Sequence, residues 1–470
     1  MNLRGLSKTN PRAVALKILL RWEKGKPLLD EILSQILTKS VLPDERDRAL
    51  VGELVNGVVR HLYYLDFIIS RFSKTPLEEM DLEVKNALRL GAYQILFTHI
   101  PDGVSIAETL KILLKRGRGS WIRGFVNAVL SSIAKNKDSL PLPQKEHSLY
   151  YLSIKYSFPE CLILRWFKRW NLEELEELLK ASNERTPLTL RINPLKVSRD
   201  NFLEYLRKEE VPSAEPCPYS PYGIILKDFR GKITDLKAFH FGWFSVQDSA
   251  SQIVTLLLDP KPGEKILDAC AGVGGKTTHI AELTKNKAQI WAFDLYSWRL
   301  EKLKENFKRL ALNEPKVFEG DVVENIQKTG VKAFDKILID APCTGTGVIR
   351  KHPDIKWARS ERDFKEISKR QLRLLEGLSP YVKKGGLIVY ATCSLEPEEN
   401  ERVIETFLAR NSEFKMEPPL PVLKKFCGEK IKDLIENNLY LKTYPHKQNL
   451  DGFFGVRLVK TQTPFNLFLT

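Results

Sequence analysis

Residues 334–347, FDKILIDAPCTGTG, constrain the fold of this chain more than any other stretch. Positions 336–339 form a short, mostly branched apolar run that Asp340 ends, and Ala341, Pro342, Cys343, Thr344 and Gly345 then break it. A run of about four to eight such residues between turn formers reads as a buried parallel strand. In open α/β sheets ligands bind just past the carboxyl ends of the strands, which puts Asp340 and Cys343 at the lip of a site. A second run, LIVYAT at 387–392, leads into Cys393 and Ser394 in the same way. The two cysteines are 50 residues apart, enough for one crossover helix between parallel strands. Either cysteine alone reads as an ordinary buried thiol. Two at strand ends, one of them after Asp-Ala-Pro, point to thiol chemistry.

The surrounding sequence repeats the alternation. Strands are expected at 266–270, 290–294 and 317–321, helices at 276–283, 297–311, 361–379 and 397–409, and a further strand at 451–460. That order belongs to the doubly wound α/β class. Residues 11–134 are different. Pro11 opens a helix after Thr9 and Asn10, and Val14, Ile18, Leu19 and Trp22 follow at helical spacing. The stretches 45–70, 82–97, 104–116 and 120–133 continue the pattern. Prolines mark 139–145 as a linker, 150–181 reads as two helices, with Trp166 and Trp170 as core, and 186–211 reads strand, turn, helix. The expected chain is therefore multidomain: an all-α N-terminal domain (1–138), a small α+β middle module (146–240) and an α/β doubly wound, Rossmann-like domain (241–462).

Charge narrows the partner. The formal net charge is +15, which calls for a polyanion, most simply nucleic acid. Residues 1–135 hold 21 Lys and Arg against 14 Asp and Glu, a balance of +7. Lys111, Lys115, Arg116, Arg118 and Arg123 lie in an acid-free stretch that can meet phosphates or simply be a solvated helix end. No apolar run reaches the roughly 18 residues of a membrane span. The N-terminus lacks a signal-peptide core. Six cysteines without a CxxC pair form neither a disulfide framework nor a zinc site. A cytoplasmic setting, with no membrane and no metal, is expected.

The turn Cys270, Ala271, Gly272, Val273, Gly274, Gly275, Lys276 follows the first strand and opens a helix. It fails the P-loop pattern, which needs glycine at 270, and the dinucleotide pattern, which needs glycine at 277, where Thr277 stands. A nucleoside without bridging phosphates remains. Asp294, 19 residues past Gly275, suits ribose hydroxyls, and Asp321 suits an adenine amine; helix capping is the alternative for both. S-adenosylmethionine fits, and it gives the cysteines a task. A thiolate adding to carbon 6 of a pyrimidine makes carbon 5 able to take a methyl group. An acid near the ring nitrogen stabilises the charge, and a base must then remove the carbon 5 proton. On the residues alone either cysteine can be the nucleophile.

RINPLK (191–196), QDSASQ (247–252), DAPCTGTGVIRKHPDIKW (340–357), TCSLEPEENE (392–401) and DGFFGVRL (451–458) together resemble the bacterial RsmB (Sun/Fmu) family of 16S ribosomal RNA cytosine-5 methyltransferases. Residues 11–134 resemble a NusB-type RNA-binding domain. The resemblance implies that Cys393 is the nucleophile, that Cys343 assists proton removal and release, and that Asp340 holds the cytosine edge near N3 close to the cofactor. It implies that residues 270–276, Asp294 and Asp321 bind S-adenosyl-L-methionine, and that a monomer acts on 16S ribosomal RNA. Many relatives carry Ala-Pro-Gly-Gly-Lys where this chain has Gly272 to Lys276. Three rival readings are a transfer RNA methyltransferase of the same chemistry, an amino-group methyltransferase and a non-catalytic RNA-binding assembly factor.

Overall fold

Asn10 and Pro11 start the first helix, Pro11–Trp22, of the computed structural model. The Asn10 side chain accepts the Arg12 and Ala13 amides at 2.9 and 3.3 Å, and Pro11 occupies a first-turn position whose N–H has no partner in any helix. The structure describes residues 10–461 except 40, 41, 43, 115–119, 146, 147, 210, 212, 228 and 230. Its contacts divide the chain into two units, Met1–Glu184 with Ile349–Arg359, and Arg185–Val348 with Ser360–Thr470. The expected middle module straddles this division: its helices up to Asn183 lie in the first unit and its strands in the second.

The first unit is helical. Val14, Ile18, Leu19 and Trp22 are buried, as are Val51, Leu54, Val58, Leu88 and Leu130 from later helices. Residues 45–70 form two helices, Glu45–Arg60 and Leu62–Phe72. The break leaves carbonyls without partners at the first helix end. Trp357 Nε1 donates to Val59 O and Lys356 Nζ to Arg60 O, both at 2.8 Å. Lys356 also donates to Ser157 O at 3.0 Å and Asn183 Oδ1 at 2.9 Å, and is 2% exposed. Two backbone carbonyls at helix ends and one side-chain carbonyl offset part of the cost of burying this group, while burial and then the Arg60 charge hold its proton affinity well below the usual lysine range. Residues Ile349–Arg359, which lie in sequence between two strands of the second unit, are thus packed among these helices.

The second unit holds two sheets. The smaller is antiparallel, made of β1 (Leu188–Ile192), β2 (Ala214–Pro216), β3 (Gly223–Leu226) and β4 (Phe244–Val246) in the order β2-β3-β1-β4. The larger is built on five parallel strands, β5 (Lys265–Asp268), β6 (Gln289–Asp294), β7 (Lys316–Glu319), β8 (Phe334–Asp340) and β9 (Val382–Thr392). β10 (Phe414–Glu417), β11 (Ile435–Glu436), β12 (Tyr440–Thr443) and β13 (Phe453–Lys460) complete it, with β13 antiparallel to β9. The order is β7-β6-β5-β8-β9-β13-β12-β11, with β10 also on β13.

Both faces are covered. Ile266, Leu338 and Val389 pack with the helices Ser249–Leu257, Gly275–Leu283 and Ser297–Leu310. Leu267, Ile337, Ile339 and Ile388 point the other way, onto Glu361–Leu378 and Glu401–Arg410. Adjacent residues on opposite faces, all apolar, are what a strand buried on both sides requires. The winding reverses at β5, between β6 and β8, and ligand crevices form at such points.

Candidate active site

β5 ends at Asp268, and the chain turns through residues 269–274 into the helix Gly275–Leu283. Gly274 has φ +89°, and a Cβ there would lie 2.8 Å from Leu303 Cγ, so only glycine fits. Asp294, 8% exposed at the end of β6, holds the turn: Oδ2 accepts the Gly272 amide and Oδ1 the Tyr296 amide, each at 3.0 Å. Asp268 Oδ2 accepts the Thr277 hydroxyl at 2.7 Å, while Oδ1 is buried with no hydrogen-bond partner. Burial, with some help from the nearby Asp340 charge, pushes the Asp268 carboxyl up to about 7. Burial first, and then the charges of Asp268, Asp340, Asp294 and Asp321, raise the Cys270 thiol. Asp268, Asp294 and Asp340, at the ends of β5, β6 and β8, make an acidic setting that disfavours phosphate and suits a ligand carrying ammonium and sulfonium charge. Val273, Leu295 and Tyr296 leave apolar surface exposed beside them. These features fit S-adenosylmethionine.

Arg191, in β1, lies under this turn. It is fully buried, and its Nε and Nη2 meet Glu282 Oε2 and Oε1 at 3.0 and 3.1 Å. It also donates to Gly275 O at 2.7 Å, Thr278 Oγ1 at 2.9 Å and Gln247 Oε1. The arginine of the RINPLK segment and the first glutamine of QDSASQ therefore meet at the start of the helix Gly275–Leu283.

The carboxyl ends of β8 and β9 lie side by side. Cys343 Sγ and Cys393 Sγ are 3.2 Å apart. Ala341 N donates to Ala391 O at 2.8 Å and Gly347 N to Cys393 O at 3.0 Å. A Cβ on Gly347 would come within 2.0 Å of Gly452 O, so this approach also demands glycine. Asp340 Oδ2 pairs with Lys276 Nζ at 2.6 Å, joining the thiol turn to the glycine turn after β5. The Cys393 contact, burial and the Glu399 charge all push the Cys343 thiol well above its usual range.

The structure thus brings together Asp340, Cys343, Cys393 and Lys276, with Asp294 on the neighbouring turn. Asp321 lies beyond the end of β7 and is already engaged: Oδ1 caps the short helix Val322–Asn325 through Val323 N at 2.9 Å, and Oδ2 pairs with Arg373 at 2.6 Å. Capping, the alternative reading for this residue, is what its geometry displays. Asp268 and Glu399 are not among the site residues that the sequence suggests, and Arg191 stands out there only as the arginine of RINPLK. For Asp268 the signal was available, an acid closing the ILD strand before a glycine turn. For the other two the partners lie far away in sequence. Lys115, Arg116 and Arg118 fall outside the described residues; Lys111 pairs with Glu108 at 2.5 Å, and Arg123 is exposed. Trp166 is fully buried and edge-on to Trp170. Among the described residues no cluster could hold a metal ion, and no helix is long and apolar enough to cross a membrane.

Comparison with known proteins gives three family matches. Residues 255–459 match 16S rRNA methyltransferase RsmB/F, residues 9–135 match the NusB family, and residues 158–231 match the ferredoxin-like domain of RsmF/B-like methyltransferases. Ribosomal RNA small subunit methyltransferase B of Yersinia enterocolitica is 35% identical over 457 residues, spanning 96% of this chain and 99% of that protein. A methyltransferase homolog protein from Pyrococcus horikoshii superposes with a TM-score of 0.56 at 32% identity, over 67% of this chain and 99% of that one. NSun6 from the same organism superposes with a TM-score of 0.57 at 25% identity, over 65% and 99%.

Proposed function

The chain belongs to the RsmB/F family of 16S rRNA methyltransferases, and from that premise we propose that it methylates carbon 5 of one cytosine in 16S ribosomal RNA through a covalent cysteine adduct. The observation that carries this reading is the pair of sulfurs 3.2 Å apart at the ends of adjacent parallel strands, beside the Asp340–Lys276 pair. The Cys393 thiolate adds to carbon 6, and carbon 5 becomes nucleophilic. S-adenosylmethionine is the cofactor and supplies an electrophilic methyl group. Residues 270–276 with Asp294 would hold it, and Asp321 would border its adenine. Asp340, with its lysine, would hold the cytosine edge near N3, where charge develops. Cys343 then acts as thiolate: it takes the proton from carbon 5, the ring double bond re-forms, and the bond between carbon 6 and Cys393 breaks. Its raised proton affinity keeps it protonated while Cys393 attacks, so it must release its own proton to solvent before it can take the one from carbon 5. The six free cysteines fit a reducing cytoplasm, and the basic helical unit fits RNA binding.

The two thiols should have opposite phenotypes. Cys393→Ala should give neither methylated product nor RNA adduct. Cys343→Ala should still attack and then stall, so that protein cross-linked to RNA accumulates on a denaturing gel and disappears in the double variant. Adduct with Cys393→Ala and none with Cys343→Ala would reverse the roles. Bisulfite sequencing of ribosomal RNA from cells lacking the protein should show methylation lost at one cytosine of the 16S molecule, and an unchanged pattern would refute the substrate.

A further inference from the structure

Glu399 is fully buried, and a carboxylate in such a place is costly unless donors meet it. Four donor contacts do. Oε2 accepts the Thr344 amide at 2.8 Å and Gln371 Nε2 at 3.2 Å; Oε1 accepts the Ser394 hydroxyl at 2.7 Å and the Thr344 hydroxyl. Thr344 follows Cys343, and Ser394 follows Cys393. Gln371 Nε2 also donates to Pro342 O at 3.0 Å, on the other side of Cys343. Tyr390 Oη, from β9, anchors the backbone of Glu399 at its carbonyl, 2.6 Å away. One side chain therefore ties the turn after β8 to the turn after β9, and no hydrogen bond among the described residues joins it to either sulfur.

We propose that Glu399 is a positioning residue for the methyl transfer, a clamp that holds the two thiol-bearing turns at the separation the two-cysteine mechanism needs; the assignment rests on the function proposed above. The geometry separates this role from a role for the charge. Oε1 faces two hydroxyls, which can accept as well as donate, whereas Oε2 faces two N–H groups, which only donate. Glutamine, with its oxygen at the Oε2 position and its NH₂ at the Oε1 position, meets all four contacts without a charge. Alanine meets none.

The test uses the full chain and two readouts. Diamide takes one hydrogen from each thiol and becomes the hydrazine as the Cys343–Cys393 disulfide forms; the rate, followed by mass spectrometry of non-reduced peptides, reports sulfur proximity without any RNA. Steady-state methylation of 16S ribosomal RNA then gives kcat and KM. Glu399→Ala should slow the disulfide and lower kcat by about 100-fold, as misplacement by about 1 Å does, with KM for RNA and cofactor unchanged. Glu399→Gln should stay close to the parent protein in both readouts. Ser394→Ala removes one tie to Glu399, together with the hydroxyl's contacts to Thr344 Oγ1 and Thr346 Oγ1 at 3.3 Å and to the Glu396 amide at 3.1 Å, and should show a partial loss in both, which keeps the test decisive even where Glu399→Ala does not fold. Wild-type behaviour of Glu399→Ala or of Ser394→Ala overturns the clamp. So does a Glu399→Gln variant as impaired as alanine, because charge and not position would then be what matters. Slower disulfide formation in the alanine variants, with no methylation by the parent protein, would uphold the clamp and refute the proposed function.

Discussion

The Arg191–Glu282 pair can be dissected by a double-mutant cycle. Both side chains are at most 1% exposed, and the contact is bidentate, so solvent screens it little. Arg191→Met leaves a carboxylate buried without its partner and frees three further acceptors, Gly275 O, Gln247 Oε1 and Thr278 Oγ1. Breaking a buried pair in this way costs about 3–5 kcal/mol, or two to four decades in the unfolding constant. Arg191→Met with Glu282→Met removes both charges and should recover most of that loss. The pH dependence has a definite sign. Burial already raises the Glu282 carboxyl above its ordinary 4.5 in spite of Arg191, and losing the arginine raises it further. Between the unfolded and folded values the folded state binds more protons, so stability falls as pH rises through that window. The single variant should therefore be worst near pH 8, roughly, and recover relative to the parent protein toward about pH 5. Urea unfolding at both pH values and calorimetric titration with S-adenosylmethionine are the assays. Losses in the two single variants that simply add in the double variant would refute a specific pair. A pH-independent deficit would refute the buried carboxylate as its cause.

Asp294→Ala should weaken S-adenosylmethionine binding by roughly 1.5–3 kcal/mol, because it removes a charged acceptor that also fixes the Gly272 amide; unchanged affinity by calorimetry would sink the assignment. His61, stacked on Phe97 at 4.0 Å, has its proton affinity lowered from 6.5 to about 3 by burial, Lys356 and Arg60. The unfolded chain binds a proton there below 6.5 and the folded one only below about 3, so stability of the helical unit should fall as pH drops through that window, by at most about 1.4 kcal/mol per pH unit. His61→Leu should flatten that loss in chemical denaturation, and equal slopes would rule the histidine out. Arg123→Gln, at an exposed position of the helix Ser120–Lys135, should lower the log–log salt slope of RNA binding by about 0.7–0.9; an unchanged slope would take this position out of the RNA contact.

What the sequence alone determined here is local. The Asn10–Pro11 start, the apolar runs ending at Asp294 and Asp340, and the glycine turn after β5 follow from cap chemistry, strand periodicity and turn residues within a few positions of one another. The two thiols could be placed on one edge because parallel strands joined by a helix present the same ends. Pairing across long stretches of chain was decided only by the tertiary structure. Asp294 and Asp321 read alike as strand-end acids, yet one holds the glycine turn after β5 and the other meets Arg373, 52 residues away. Glu399 reads as one of several acids in EPEENE until Thr344, 55 residues before it, is brought onto its carboxylate. Residues Ile349–Arg359 follow a strand-end turn in sequence, but Lys356 among them is held by Arg60, Ser157 and Asn183. The energy of a buried charge depends on which partners the fold carries to it, and those partners leave no periodicity or spacing in the chain.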